Sequence, residues 1–112
     1  MGFVYYANYL VYFERGRNEL LRECGLPYLM LEGQGVMLPV IEAHVVYHRP
    51  ARYDDVLDIV SRIVDVKGIR MKLECEIRRA DEILVSGYTW HAVTDSRGKP
   101  RRIPPELVAL AE

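Results

Sequence analysis

The chain has 112 residues, half of them hydrophobic and 28% charged, a balance that predicts a globular fold and excludes a disordered segment or a membrane-length apolar run. Lys and Arg number 15 against 16 Asp and Glu, a net charge of −1, so no broad basic field is available for a nucleic-acid backbone and nucleic acid is not an expected partner. Residues 1–112 are expected to form one domain around one core.

Elements follow in chain order. From Asn8 to Cys24, the residues Tyr9, Phe13, Arg17, Leu20, Leu21 and Cys24 recur at three- and four-residue steps, which predicts an amphipathic helix. Asn8 is placed to cap its start, and Gly25 followed by Pro27 supplies its stop. Gly16 lies mid-helix, where it weakens the helix by about 1 kcal/mol relative to alanine, so a sheet or partner helix is expected to press closely on that face. After a connecting region with room for one turn at Tyr28 to Leu31, the period changes to two. Strands are expected at Val40–His48, Val56–Val66, Ile69–Arg79 and Ile83–Asp95, the third with Met71, Leu73, Cys75 and Ile77 on one face and Arg70, Lys72, Glu74 and Glu76 on the other. Short turns near Gly68 and Asp81 require antiparallel neighbours. Asp95 to Pro105 is a basic loop, and Glu106 to Ala111 has room for a last helical turn. The fold class is therefore α+β: one long helix covering one face of an antiparallel sheet. Long strands with an unpaired edge predict a homodimer or higher oligomer.

The chemistry is narrowed by what is missing. His44, His48 and His91 have no metal-binding spacing, so neither a metal nor a cofactor is expected, and there is no GxSxG, P-loop or GxGxxG pattern. Cys24 and Cys75 lack CxxC spacing and fall on apolar positions, and no signal-peptide pattern opens the chain. Two reduced, buried thiols in a cytoplasmic protein are expected. Tyr5, Tyr6, Tyr9 and Tyr12 cluster at the helix entrance, where free backbone N–H groups are able to polarise a carbonyl. An aromatic core or dimer patch is the equal alternative.

The segment GFVYYANYLVYFERGRNELLRECGLPY, with RPARYDD at Arg49–Asp55, GYTWHAVTD at Gly87–Asp95 and GKPRRIP at Gly98–Pro104, resembles the hotdog-fold acyl-CoA thioesterases of the YbgC and 4-hydroxybenzoyl-CoA thioesterase type. The resemblance implies a long central helix wrapped by an antiparallel sheet, subunits paired into dimers or tetramers, and an acyl-CoA site at the interface. It implies thioester hydrolysis to a free acid and CoA; the alternative is a noncatalytic subunit that binds acyl-CoA or an acyl carrier protein. In such enzymes a strand ending in an Asp-x-Met-Gly-type motif precedes the helix. Met1-Gly2 matches the motif's last two positions, so that strand and its catalytic aspartate, two places before Met1, are expected to be missing from the chain. By the same resemblance the Tyr6 backbone N–H is the expected oxyanion donor, and Tyr5 and Asn8 shape the site. Other hotdog thioesterases carry a catalytic Glu on the central helix, which makes Glu14 the candidate carboxylate, with Glu19 behind it; a surface ion pair with Arg15 or Arg17 is the alternative for Glu14. His91 is expected either to line the pocket or to belong to the core. Arg101 and Arg102, with Arg97 and Lys99, are candidates for the CoA phosphates, against a solvated basic loop.

Overall fold

The structure is a computed structural model and describes residues 8–52 and 54–111, with nothing described of the Asn8 side chain. Helix α1 spans Asn8–Glu23, and its apolar stripe is the one its spacing predicts: Tyr9, Phe13 and Leu21 are buried. It ends as Gly25 requires. Gly25 takes φ +81°, a left-handed conformation that glycine adopts without a Cβ clash. The Leu26 N–H then donates to the Leu21 carbonyl at 2.8 Å and the Gly25 N–H to the Arg22 carbonyl at 3.1 Å, the paired bonds of a Schellman stop. The expected cap at the other end depends on the Asn8 side chain, which lies outside the described residues, as do Tyr5 and Tyr6.

A short helix α2, Tyr28–Gly33, turns the chain toward the sheet. Four strands follow: β1 Val40–Tyr47, β2 Asp58–Lys67, β3 Arg70–Arg79 and β4 Glu82–Ala92, and a last turn, α3, covers Pro105–Val108. All pairings are antiparallel, in the order β1-β4-β3-β2. Two-residue turns join β2 to β3 and β3 to β4, so those three strands form a meander, while β1 returns from earlier in the chain to pair with β4.

The sheet has one dry face and one wet face. Met71, Leu73, Cys75 and Ile77 of β3 are all buried beneath α1 and its neighbours. On the opposite face, Arg70 stacks over Trp90 at 5.1 Å, Lys72 stands 4.4 Å from the Tyr88 ring, and Tyr88 stacks on His44 with centroids 5.2 Å apart. In both contacts the charged head itself lies over the ring, the geometry of a cation–π interaction.

Helix α1 lies chiefly across β2, and Gly16 marks the contact. A Cβ at Gly16 would collide with Ser61 Oγ and Ile59 Cγ2, so the close neighbour expected on that face is the sheet. Two features depart from expectation. Strand β1 shows the predicted alternation without the predicted burial: seven of its eight residues are exposed and only Val45 is half-buried, because α1 lies chiefly across β2 and reaches β1 only at contacts such as Tyr9 with Tyr47. Cys24 is exposed, whereas Cys75 is buried as expected. Cys24 is on the helical stripe but falls just past Glu23, where α1 ends, so no sheet residue closes over it.

Candidate active site

A cleft of about 450 Å³ opens between α1 and the β1–β4 side of the sheet. Helix α1 supplies Leu10, Val11, Phe13, Glu14 and Arg17 to its wall, all on the side of the helix turned toward β1. Opposite stand Leu38, Pro39, Val40 and Ala43, with Thr89 and His91 from β4 and Tyr28 from α2 completing the lining. The walls are apolar, as an acyl chain requires, and the polar groups are few.

His91 is buried, at 3% exposure, and both of its ring nitrogens are engaged. Nδ1 lies 2.9 Å from the Leu38 carbonyl oxygen, which only accepts, so Nδ1 carries the proton and donates. The neutral ring's Nε2 therefore accepts from the Thr89 hydroxyl at 2.8 Å. Burial pushes the imidazole below its ordinary range; the bond to Leu38 opposes that shift and the nearby Arg17 charge adds to it. His91 is thus both a cleft wall and a core histidine, and a role as general base would require breaking its bond to Thr89.

Glu14 lines the same cleft and is its one carboxylate among the described residues. Its side chain is 64% exposed, and Oε1 stands 3.8 Å from Arg17 Nη2. Of the two readings weighed for this residue, the ion pair is observed, with Arg17. Glu19 is turned outward in a surface pair with Arg22.

Arg17 falls on the apolar stripe by its spacing, and from sequence its one expected role is as an ion-pair partner of Glu14. It is 6% exposed, its Nε and Nη2 both donate to Asn18 Oδ1 at 3.1 and 2.9 Å, and its guanidinium lies 4.4 Å over the Tyr28 ring. A charged residue at a position that periodicity reserves for the core is the signal that would have found it.

The tyrosine cluster divides. Tyr9 belongs to the core: it is buried, its hydroxyl oxygen accepts from the Ala51 N–H at 3.2 Å, and its ring meets Tyr12 and Tyr47 at 6.2 and 5.4 Å. Tyr5, Tyr6 and the Asn8 side chain lie outside the described residues. Arg101 and Arg102 do not line the cleft. They follow a tight loop in which the Asp95 carboxylate accepts from the Arg97 and Lys99 N–H groups at 2.8 and 3.0 Å. Arg101 is tied back by its Nε to the Arg102 carbonyl, at 3.1 Å, and Arg102 is exposed. No helix among the described residues is long and apolar enough to cross a membrane.

A long helix laid on an antiparallel sheet, with an apolar cleft beside its first turns, is the arrangement of the hotdog thioesterases. A family model described as the thioesterase-like superfamily matches residues 1–110, and the chain belongs to that family. It is 32% identical over 110 residues to the acyl-CoA thioester hydrolase YbgC of Escherichia coli, a match covering 96% of this chain and 82% of that protein. The crystal structure of a probable thioesterase from Bartonella henselae superposes with a TM-score of 0.86 at 37% identity, over 92% of this chain and 86% of the other. A hypothetical protein from Thermus thermophilus superposes with a TM-score of 0.91 at 29% identity, over 100% and 87%.

Proposed function

We propose that the protein hydrolyses acyl-CoA thioesters, taking the acyl group into the cleft between α1 and the β1–β4 edge. The observation that carries this reading is the cleft itself: an apolar trough along the first half of α1, with a carboxylate, Glu14, on its wall. Family membership and the acyl-CoA activity in the name of the E. coli relative support it. In this reading the Tyr6 backbone N–H, near the start of α1, polarises the thioester carbonyl, where a helix N-terminus favours developing negative charge. Tyr5, Asn8 and His91 shape the pocket, Glu14 activates the attacking water, and Arg101 with Arg102 holds the CoA phosphates. The whole of residues 1–112 acts as one domain.

The active form is a homodimer or tetramer. Strand β1 offers an open edge with Val40, Ile41, Val46 and Tyr47 all at least 40% exposed, and β1 also supplies Val40 and Ala43 to the cleft. Pairing through that edge would put the cleft at a subunit interface.

A second reading, a noncatalytic subunit binding acyl-CoA or an acyl carrier protein, is favoured by one observation. The Glu14 carboxylate stands largely in water, whereas a general base acts best where solvent is excluded. Thiol release from short aliphatic and aromatic acyl-CoAs, run beside calorimetric titration of the same ligands, separates the two. Turnover that falls at least about 100-fold in Glu14→Gln supports hydrolysis with Glu14 as base. Turnover untouched by that change removes Glu14 from the mechanism, tight binding without turnover selects the binding subunit, and absence of binding rejects both readings.

A further inference from the structure

The buried cation in the cleft wall is not used by the hydrolytic reading. Arg17 is 6% exposed, and an arginine keeps its charge at any working pH. Its close partners are neutral: the Asn18 amide oxygen and the face of Tyr28. The one carboxylate in ion-pair range, Glu14, stands 3.8 Å away, beyond hydrogen-bond distance, and is 64% in solvent. Among the described residues Arg17 Nη1 donates to none, yet no buried side-chain nitrogen or oxygen lacks a partner. Nη1 is therefore accessible, and the open space that Arg17 borders is the cleft. The distant, solvated Glu14 compensates the guanidinium charge only in part, and a second anion within the cleft would complete it.

We propose that the cleft takes acyl groups whose far end is a carboxylate, and that Arg17 is the specificity-determining residue that binds that carboxylate. The proposal rests on the acyl-CoA reading above and names the substrate class for the same cleft. With the far carboxylate at Arg17, Glu14 lies beside the acyl terminus and not at the thioester, so this binding mode keeps the acyl-CoA reading without Glu14 as its base. A thioester held toward the start of α1 lays the acyl chain along Leu10 and Phe13 before its far end meets Arg17. A guanidinium fork matches a carboxylate in both shape and charge.

The test is calorimetric titration of the full chain with adipyl-CoA, its ω-methyl ester and hexanoyl-CoA. These ligands share the thioester and the CoA moiety and differ only at the far end of the acyl group. The unmodified protein is expected to bind adipyl-CoA at least tenfold more tightly than either neutral ligand. In Arg17→Met that ratio is expected to collapse to near one, and in Arg17→Lys to be partly retained. Equal binding of adipyl-CoA and its methyl ester by the unmodified protein would overturn the proposal, and this comparison needs no variant to fold. A preference that survives in Arg17→Met would also overturn it. Binding and turnover of hexanoyl-CoA without any preference rejects the proposal alone, whereas binding of none of the three rejects the acyl-CoA reading with it.

Discussion

At the scale of single residues, His91 links the site to stability. Burial, with the nearby Arg17 charge, outweighs the opposing bond to Leu38, so its pKa in the folded chain is below the value of about 6.5 it has when unfolded. A base with a depressed folded pKa contributes stability that is present above the unfolded value and is lost as pH falls toward the folded one. The melting temperature is therefore expected to drop as pH is lowered from about 7.5 to 5, and His91→Gln should show a flatter dependence over the same window; a calorimetric melt at each pH measures both. The sequence placed His91 on the last strand but left pocket and core as alternatives, and it occupies both because β4 passes under the cleft. Arg17 shows the opposite limit. Its spacing put it among core positions, but only the structure shows that its guanidinium is buried without a tight carboxylate partner. Periodicity locates a side chain on a face and says nothing of the charges gathered around it.

Among the elements, α1 was the most legible, since its stripe and its glycine stop are both local. The α1–sheet contact was legible too, through Gly16, a residue that weakens a helix unless closeness requires it. Replacing Gly16 with alanine gains about 1 kcal/mol of helix propensity but drives a methyl group into Ile59 and Ser61. Ile59 is β-branched and stiff, and the Ser61 hydroxyl lies 3.3 Å from Cys75 Sγ, so neither yields freely. Overpacking of this kind costs about 1–3 kcal/mol. The expected net effect of Gly16→Ala is destabilisation by about 1 kcal/mol, read as a lower urea midpoint; a rise would mean that the helix and β2 can separate without penalty. The strands were located to within two or three residues at their ends, and the alternation in β3 gave its dry face directly. The same pattern misled at β1, because alternation records which side chains share a face and not whether anything covers that face. Cys24 misled for a related reason: the stripe runs one residue past the helix that gives it meaning.

For the whole molecule, the open β1 edge sets the expectation. Val46 is 40% exposed and Ile41 49%, on a strand whose outer backbone groups have no strand beside them among the described residues, in the order β1-β4-β3-β2. Lysines on an edge strand oppose pairing with another sheet. Ile41→Lys combined with Val46→Lys is expected to leave the circular dichroism unchanged and to shift sedimentation from an oligomer to a monomer. A monomeric starting protein would contradict the assembly proposed for it. The geometry of the proposed assembly was not legible in the sequence beyond the existence of an edge, since the match between two surfaces is a property of neither strand alone.

The order of the strands also bears on how the cleft comes into being. The β2–β3–β4 meander closes over two-residue turns, so its contacts are local and cheap in chain entropy. Strand β1 meets β4 across a far longer loop, from Val45 to Gly87 at mid-strand, and loop closure of that length is the natural late event in folding. Because β1 forms one wall of the cleft and α1 the other, the pocket has no existence as a cavity until that event is complete. Local opening of β1 would dissolve the pocket while leaving the meander and its core in place, and an acyl ligand, by bridging the two walls, would act as a latch on the last strand to arrive.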